Sequence, residues 1–279
     1  MERFDIRPLK GLGQNFLHDM NVVEKIVDCA EISKEDIVLE VGPGLGVMTG
    51  LLAQRAYKVF AVETDRRLEQ PLNLLKEQFG NIELIFNDIM KTDIKKEIID
   101  KCEGRKVKVV ANLPYYITTP VVMLFLENNE GIDSLTLMVQ KEVGERMTAD
   151  PGGKEYGALS VSVKYYSDAS VKFTVPPHCF TPRPNVDSCV INMLIRKERA
   201  YKVDDEQYFF KIVKAAFGQR RKMLTNALAN AGYTGVTRED VADALEKMGL
   251  SATVRGEVLS VEEFAKLSNI LNGKNKITA

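Results

Sequence analysis

The sequence predicts an α/β protein in which an open, mostly parallel sheet carries helices on both faces and is followed by a smaller helical domain. Three observations support this class. An apolar run over residues 37–41 passes through glycines at 42, 44 and 46 into a helical pattern. Later apolar runs end in a carboxylate or an amide, as strands beside a ligand site do. From residue 201 the pattern changes to short amphipathic helices.

Length and composition set the frame for this prediction. The 279 residues predict one large domain over residues 1–200 and a smaller one over residues 201–279. There is no apolar run of about 18 residues and the start of the chain lacks a signal peptide, so we expect a cytoplasmic protein without a membrane span. The four cysteines show no C-x-x-C spacing and there are two histidines, so we expect neither a metal site nor disulfides.

The strand at residues 37–41 leads into the most informative turn of the chain. Gly42, Gly44 and Gly46 allow positive φ angles and let a ligand approach the backbone closely. A dinucleotide-binding turn would place its third glycine at position 47, where this chain has Val47. The pattern from Glu40 to Gly46 instead resembles the first motif of S-adenosylmethionine-dependent methyltransferases, which have a Rossmann-like fold. A glycine turn without a ligand is the alternative.

Three further predicted strands end in groups that accept hydrogen bonds. Residues 58–65 end in acid, with Glu63 about twenty positions after the first glycines, where ribose hydroxyls are commonly held. Residues 82–88 end at Asp88, and residues 107–112 end at Asn112. A single acid at a strand end is more often a helix cap. Because parallel strand ends meet at one edge, their repetition favours a common ligand site beside the glycine turn.

The last of these strands, residues 107–112, runs into Asn112-Leu113-Pro114-Tyr115. This tetrapeptide resembles the catalytic motif of amino-methyltransferases that act on adenine. The exocyclic amine of adenine is a poor nucleophile because its lone pair is delocalised into the ring. Asn112 Oδ1 and the Leu113 carbonyl are positioned in such a motif to accept hydrogen bonds from that amine. Pro114 stiffens the turn and Tyr115 offers a stacking face. An ordinary turn after a strand is the alternative.

The remaining pattern places the other elements. Residues 13–18 precede a helix and are expected to lean on the glycine turn, and a fifth strand is predicted over residues 135–139. Strands at 171–175 and 188–196 flank a proline-rich loop that contains Phe180. Phe180 is either a buried anchor or a second aromatic wall opposite Tyr115.

The region after residue 200 carries explicit helix signals. Glycines 232, 249 and 273 are predicted helix stops, and residues 260–263 form a capping box. The run from residue 196 to 222 has nine Lys or Arg against four acids, in a chain with a net charge of -1. This run is either a solvated face or a local nucleic-acid surface, for which Arg220, Arg221 and Lys222 are the candidates.

Several separated stretches resemble one family over nearly the whole chain: residues 13–17, 40–46, 112–115, 140–159, 180–188 and 216–222. They are similar to KsgA-type ribosomal RNA adenine N6,N6-dimethyltransferases. The resemblance implies dimethylation of two adjacent adenosines in the 3′-terminal hairpin loop of small-subunit ribosomal RNA, on the pre-assembled subunit during ribosome biogenesis. It implies catalytic roles for residues 112–115. We group Phe180 with these catalytic candidates as the second aromatic wall. The cofactor contacts that it implies, together with Gly44 of the turn, are Asn15, Leu17, Gly42, Glu63, Asp88 and Asn112.

Two alternatives stay open at this point. One is a related methylase of large-subunit RNA or DNA adenine, against which the long helical C-terminal region argues. The other is an assembly factor without catalysis, against which the intact residues 112–115 argue. The sequence does not determine the oligomeric state, and a monomer is the working expectation.

Overall fold

The computed structural model of the chain describes Pro8 and residues 13–278, with side chains up to Gly273. The described residues form two compact units. The first comprises those within Met1–Gly144 and Ser167–Ile195, and the second comprises those within Glu145–Tyr166 and Arg196–Ala279. The domain boundary near residue 200 stays a prediction. The compact units differ from it by placing residues 145–166 with the C-terminal region.

The first unit contains a seven-stranded sheet and a two-stranded one. The strands are β1 (Phe16–Leu17), β2 (Ile37–Val41), β3 (Lys58–Glu63), β4 (Ile82–Phe86), β5 (Val107–Asn112), β6 (Ile132–Gln140), β7 (Ser167–Val175), β8 (Phe180–Thr181) and β9 (Ser188–Ile195). The large sheet has the order β4-β3-β2-β5-β6-β9-β7, parallel from β4 to β6 and antiparallel at β9 and β7. The predicted α/β class with a mostly parallel sheet is confirmed.

The strand ends explain where the sequence prediction was too long. Strand β3 stops at Glu63 because Asp65 caps a 3₁₀ helix, accepting a hydrogen bond from the Arg67 amide. Strand β4 stops at Phe86 because Asp88 caps the next 3₁₀ helix in the same way, through the Met90 amide. Caps take extended backbone but leave the strand ladder, so these acids lie just past the sheet.

Helices of the first unit pack on the sheet. They are α1 (Met20–Cys29), α2 (Val47–Arg55), α3 (Glu69–Phe79), α4 (Ile94–Glu97) and α5 (Thr118–Glu127). Helix α6 (Lys141–Thr148) follows β6, and the division between the two units falls inside it, after Gly144. Helix α1 begins at Asp19, whose carboxylate accepts hydrogen bonds from two backbone amides. Pro71 lies in the first turn of α3, where its missing amide proton costs little. Together α1 and α2 contribute to the main apolar core with residues of β2, β3 and β5.

The second unit is helical in its described residues. It contains α7 (Ala158–Tyr166), α8 (Glu206–Gly218), α9 (Leu224–Asn230), α10 (Arg238–Lys247) and α11 (Val261–Thr278). Ser260 and Glu263 form the predicted capping box, since each side chain accepts a hydrogen bond from the other's backbone amide. Glycines 232 and 249 follow α9 and α10 with φ of +60° and +72°, as predicted for helix stops.

The predicted helix stop at Gly273 is wrong, because α11 continues through it to Thr278. A glycine inside a helix costs about 1 kcal/mol relative to alanine. Burial of Leu267 and Leu271 on this helix offsets that cost. Within residue 8 and residues 13–278, no helix combines the length and the apolarity needed to cross a lipid bilayer.

Gly46 gives the first testable prediction, because it has both a left-handed backbone and no room for a side chain. Its φ is +80°, and an added Cβ would lie 2.2 Å from Leu75 Cδ1. Gly46→Ala should therefore lower the free energy of unfolding by about 2–4 kcal/mol, from backbone strain plus overpacking. Chemical denaturation of the purified chain measures this loss.

Gly80→Ala is the matched control for backbone strain alone. Gly80 has a φ of +74°, and nothing lies within 4 Å of an added Cβ. We expect a loss of about 1–2 kcal/mol from this substitution. Equal losses in the two variants would show that Leu75 moves away without cost, contrary to the packing argument.

Candidate active site

A cavity of about 350 Å³ lies in the first unit, where the carboxyl ends of the parallel strands meet. It is lined by residues at or just after the ends of β2, β3, β4 and β5, and by the segment that precedes α1. All sequence-predicted cofactor and catalytic positions line it: Asn15, Leu17, Gly42, Gly44, Glu63, Asp88, Asn112, Leu113, Pro114, Tyr115 and Phe180. Positions up to 165 residues apart in the chain therefore share one cavity (from 15 to 180).

The glycine turn forms the floor beside α2. Gly42 and Gly44 have φ of +71° and +58°. An added Cβ at Gly44 would lie 3.2 Å from the Phe16 ring, whereas the space around Gly42 is open for 4 Å. The turn is thus covered on one side by Phe16 and exposes bare backbone to the cavity at Gly42. This confirms that residues 13–18 lean on the turn.

A small antiparallel sheet holds that N-terminal segment in place. In it, β1 pairs with β8, with Leu17 opposite Phe180. The His18 amide also donates to the Cys179 carbonyl at 3.0 Å. The segment before α1 and the proline-rich loop are therefore tied together. The segment brings Asn15 and Leu17 to the cavity wall, and the loop brings Phe180.

Glu63 is buried at the end of β3, with 7% of its surface exposed. Its Oε2 accepts a hydrogen bond from the Gly44 amide at 3.2 Å, and its Oε1 accepts one from the Asp65 amide at 2.8 Å. Burial raises the pKa of this carboxyl, and the two amides act in the opposite direction. Each oxygen keeps a lone pair for a ligand, which suits two neighbouring hydroxyl groups.

Asp88 serves two purposes in the structure. Its Oδ1 accepts a hydrogen bond from the Met90 amide at 3.0 Å and so caps a 3₁₀ helix, which is the structural role that sequence reasoning weighed for a strand-terminal acid. The same side chain lines the cavity. Capping uses one oxygen and leaves the carboxylate able to accept a second hydrogen bond.

Asn112 is oriented by the N-terminal segment. Its Nδ2 donates to the Asn15 carbonyl at 3.3 Å, which places Oδ1 at the opposite edge of the planar amide group. No residue of the described chain donates to Oδ1. The next amide, of Leu113, donates to the Met138 carbonyl at 3.3 Å and holds the turn against β6. The site thus presents an acceptor oxygen whose direction is set by a hydrogen bond elsewhere on the same group.

Tyr115 and Phe180 supply aromatic walls to the same cavity. The Tyr115 hydroxyl hydrogen-bonds with Ser188 Oγ at 2.8 Å, so β9 fixes the ring. Phe180 is 2% exposed and belongs to the main core. The two interpretations of Phe180 are therefore compatible, because it is a buried anchor that also borders the cavity.

Sequence reasoning assigned no role to Glu40, which the structure places at the cavity with none of its surface exposed. Neither carboxylate oxygen has a hydrogen-bond partner among the described residues. The buried Thr49 hydroxyl has none there either. Burial, and secondarily the charge of Glu63, raise the pKa of Glu40 to about 8, although Thr49 acts against this. The sequence feature that points to Glu40 is an acidic residue inside a strand whose other residues are apolar.

The predicted RNA contacts lie in the second unit and are not equivalent. Arg220 Nε contacts Glu257 Oε2 at 2.7 Å, and its guanidinium also donates to the Gly153 carbonyl at 2.9 Å. Arg221 and Lys222 are exposed, and no ion pair forms at either within the described chain. Arg220 therefore holds its own unit together, whereas the next two cations face solvent.

No group of three or more His, Cys, Asp or Glu side chains in the described part of the chain is arranged to hold a metal ion. The four cysteines form no disulfide. The cavity offers bare backbone, two carboxylates that can accept further hydrogen bonds, an oriented amide oxygen and two aromatic rings. This set suits a nucleoside-containing ligand next to a planar base.

Comparison with protein families agrees with this chemistry. A family model described as ribosomal RNA adenine dimethylase matches residues 8–273. A ribosomal RNA small subunit methyltransferase A from Lachnoclostridium phytofermentans is 47% identical over 271 residues, which are 96% of this chain and 92% of that protein. The protein of the same name from Clostridioides difficile is 46% identical over 274 residues, which are 98% and 94% of the two chains.

Solved structures share the fold. A dimethyladenosine transferase from Plasmodium falciparum superposes with a TM-score of 0.77 at 24% identity, over 93% of this chain and 98% of that one. The 23S rRNA methyltransferase ErmE superposes with a TM-score of 0.71 at 26% identity, over 92% and 100%. The first likeness, at this identity, concerns the architecture alone.

Glu40 gives a prediction about pH and stability. Its pKa is about 8 in the folded protein against an ordinary value of 4.5, so between these values the folded chain holds a proton that the unfolded chain has released. The free energy of unfolding therefore falls as pH rises through this window, by at most about 1.4 kcal/mol per pH unit from this group. Glu40→Gln removes the proton exchange, so the variant should gain stability relative to wild type from pH 5 to pH 8.

Denaturant titrations of wild type and variant at several pH values measure this difference. Glu24→Gln, at an exposed position on α1, is the matched control and should give a curve parallel to wild type. If Glu40→Gln also runs parallel to wild type, the buried carboxyl is not the source of the pH dependence.

Proposed function

This chain belongs to the ribosomal RNA adenine dimethylase family, and from that premise we propose its specific reaction. We propose that it transfers methyl groups from S-adenosylmethionine to the N6 amines of two adjacent adenosines. These lie in the 3′-terminal hairpin loop of small-subunit ribosomal RNA, and the substrate is the pre-assembled small subunit during ribosome biogenesis. The enzyme acts as a monomer in the cytoplasm, where that substrate is found.

Similarity to named relatives supports the small-subunit target. Relatives named for the small subunit are 46–47% identical to this chain, whereas ErmE, named for 23S RNA, is 26% identical. The long C-terminal region does not separate the two targets, because the superposition with ErmE spans 92% of this chain. Sequence identity, rather than domain content, therefore favours the small subunit.

The residues around the cavity fit S-adenosylmethionine. Open space at Gly42 admits a ligand against the backbone, and the two oxygens of Glu63 suit the ribose hydroxyls. Asp88 and Asn15 border the adjoining walls. The buried carboxyl of Glu40, which has no partner in the described chain, is the kind of group with which a cationic ligand pairs. We assign these residues, with Leu17 and Gly44, to cofactor binding.

Catalysis then depends on how the chain presents the amine. When bound, S-adenosylmethionine supplies a methyl group on an electrophilic sulfonium. Asn112 Oδ1 and the Leu113 carbonyl accept hydrogen bonds from the adenine amine, which concentrates the nitrogen lone pair out of the ring plane. Tyr115 and Phe180 hold the extruded base between them, and Pro114 keeps the turn rigid. The result is an amine held at a fixed direction and distance for transfer.

One observation carries this proposal above the others: the hydrogen bond from Asn112 Nδ2 to the Asn15 carbonyl. It assigns the amide orientation in which Oδ1 is the acceptor that the reaction needs. The same bond links the proposed catalytic residue to a proposed cofactor residue, so the two functions share one framework.

The second unit positions the RNA in this proposal. Arg221 and Lys222 contact phosphates, and Arg220 supports them through Glu257 while remaining part of the same basic cluster. Residues 1–200 carry methyl transfer, and residues 201–279 carry RNA and ribosome positioning.

The decisive experiment uses labelled S-adenosylmethionine with unmethylated small subunits, followed by mapping of the modified bases. Label on the N6 amines of two adjacent adenosines near the 3′ end is the expected result. Naked small-subunit RNA and large subunits are the parallel substrates, and both should accept far less label. Transfer to large-subunit RNA would support the ErmE-like alternative instead, and binding without any transfer would support an assembly factor.

Asn112→Ala tests the proposed chemistry. Loss of the acceptor oxygen should lower the single-turnover methylation rate by about 10²–10³-fold, the scale seen when one transition-state hydrogen bond is removed. Binding of small subunits should be unchanged, because the phosphate contacts are elsewhere. A quench experiment gives the rate, and filter binding gives the affinity. Asn21→Ala, at an exposed position on α1, serves as the control and should keep the wild-type rate.

The basic cluster is tested by its salt dependence. The double variant Arg221→Ala with Lys222→Ala leaves Arg220 and its structural contacts intact. It should weaken subunit binding and flatten the log–log salt dependence by about 0.7–0.9 for each lost phosphate contact, with unchanged cofactor affinity. The exposed pair Arg238→Ala with Lys247→Ala on α10 is the matched control. Identical slopes in all proteins would mean that the cluster is a solvated face.

A further inference from the structure

Tyr116 is exposed in an unusual place. It follows Tyr115 in the 3₁₀ helix Tyr115–Ile117 and lines the cavity, yet 61% of its surface is open to solvent. Among the large apolar and aromatic side chains of the described chain, this is the largest exposed fraction. Since it both borders the cavity and reaches solvent, it lies at the opening. An exposed aromatic ring at this place is accessible to a ligand that enters the cavity.

The ring is held in position from one side. An added Cβ on Gly13 would lie 3.3 Å from Tyr116 Cδ1 and 3.5 Å from Cε1, and 3.8 Å from Pro114 Cβ. Gly13 has a φ of +57°, so the bare glycine backbone packs on the ring at a position where a side chain is disfavoured. A ring that is backed in this way loses little freedom when a second planar group stacks on it.

Internal contacts do not explain the exposure. No hydrogen bond, ion pair or ring contact to Tyr116 occurs within the described part of the chain. Tyr57 provides a contrast. It is 50% exposed, but the Arg105 guanidinium lies over its ring at 4.2 Å. Tyr116 therefore keeps an aromatic surface uncovered at the opening of the cavity.

We infer that Tyr116 is a stacking platform for the nucleotide next to the adenosine undergoing methylation. This inference rests on the proposed function, in which two adjacent adenosines enter the cavity in turn. While one base lies between Tyr115 and Phe180, its neighbour stays connected through a single phosphate and lies at the opening. Stacking on an aromatic ring needs no base-specific hydrogen bond, so it accepts adenosine in either methylation state, and its strength depends on the base. Tyr116 thus holds whichever adenosine is outside and positions the RNA strand for the second round.

The test compares Tyr116→Ala with wild type on unmethylated small subunits, using the full chain. Loss of one stacked base should lower kcat/KM for subunits by about 5- to 150-fold, mainly through KM. Calorimetry should show unchanged affinity for S-adenosylmethionine. Tyr116→Phe keeps the ring and should recover most of the loss. Tyr57 is an exposed tyrosine directly before the first residue of β3, at the end of the strand away from the cavity. Tyr57→Ala is therefore the control and should behave as wild type.

A second substrate tests the contact itself. In subunits with one of the two adenosines replaced by uridine, the remaining adenosine has a neighbour that stacks weakly. This replacement should slow wild type but have little further effect on Tyr116→Ala, because the two changes remove the same contact. Equal slowing of both proteins, or wild-type kinetics in Tyr116→Ala, overturns the inference. If wild type itself transfers no methyl group to unmodified subunits, the proposed function fails instead.

Discussion

The parallel pairing of β2 with both β3 and β5 is the constraint on which the whole site depends. The chain goes from β2 to β3 and β4 on one side, and then to β5 and β6 on the other side. Because the connections at β2 lead in opposite directions, a crevice is left open at its carboxyl end. The glycine turn follows β2 at this point. Glu63 and Asn112 are the last residues of the two neighbouring strands, β3 and β5. A one-residue shift in either register would turn these side chains away from the cavity.

Strand ends alone leave the crevice open, and the short pairing of β1 with β8 closes one side of it. Pairing of only two residues from each segment is enough to hold this side closed, because Phe16 also packs on Gly44 and Phe180 is anchored in the main core. This arrangement joins an N-terminal segment to a loop about 160 residues later. It also brings the Asn15 carbonyl to Asn112, so closing the cavity and orienting the amide have the same cause.

Two buried acids border the cavity at a cost to the stability of the fold. Glu40 and Glu63 lie under the glycine turn, and burial raises the pKa of both. Glu63 recovers part of that cost through two backbone amides, whereas Glu40 has no such partner in the described chain. A purely structural strand would place an apolar residue at position 40. A buried carboxyl without a hydrogen-bond partner, as at Glu40, is expected where the needs of a binding site rather than of the core determine the residue type.

The amino-acid sequence by itself indicated the seven strands of the large sheet, though not all of their ends, together with the glycine turn and the capping box of Ser260 and Glu263. The strands follow from local periodicity, and the rule that parallel strands share an edge places Glu63, Asp88 and Asn112 together. The places of Asn15 and Leu17 at the site came from the family resemblance. Only the tertiary structure decided the orientation of Asn112, the burial of Glu40, the ties of Arg220 to Glu257 and the exposure of Tyr116. It also decided that α11 continues through Gly273. Each of these depends on contacts between segments distant in the chain, and local patterns carry no information about which distant group a side chain meets.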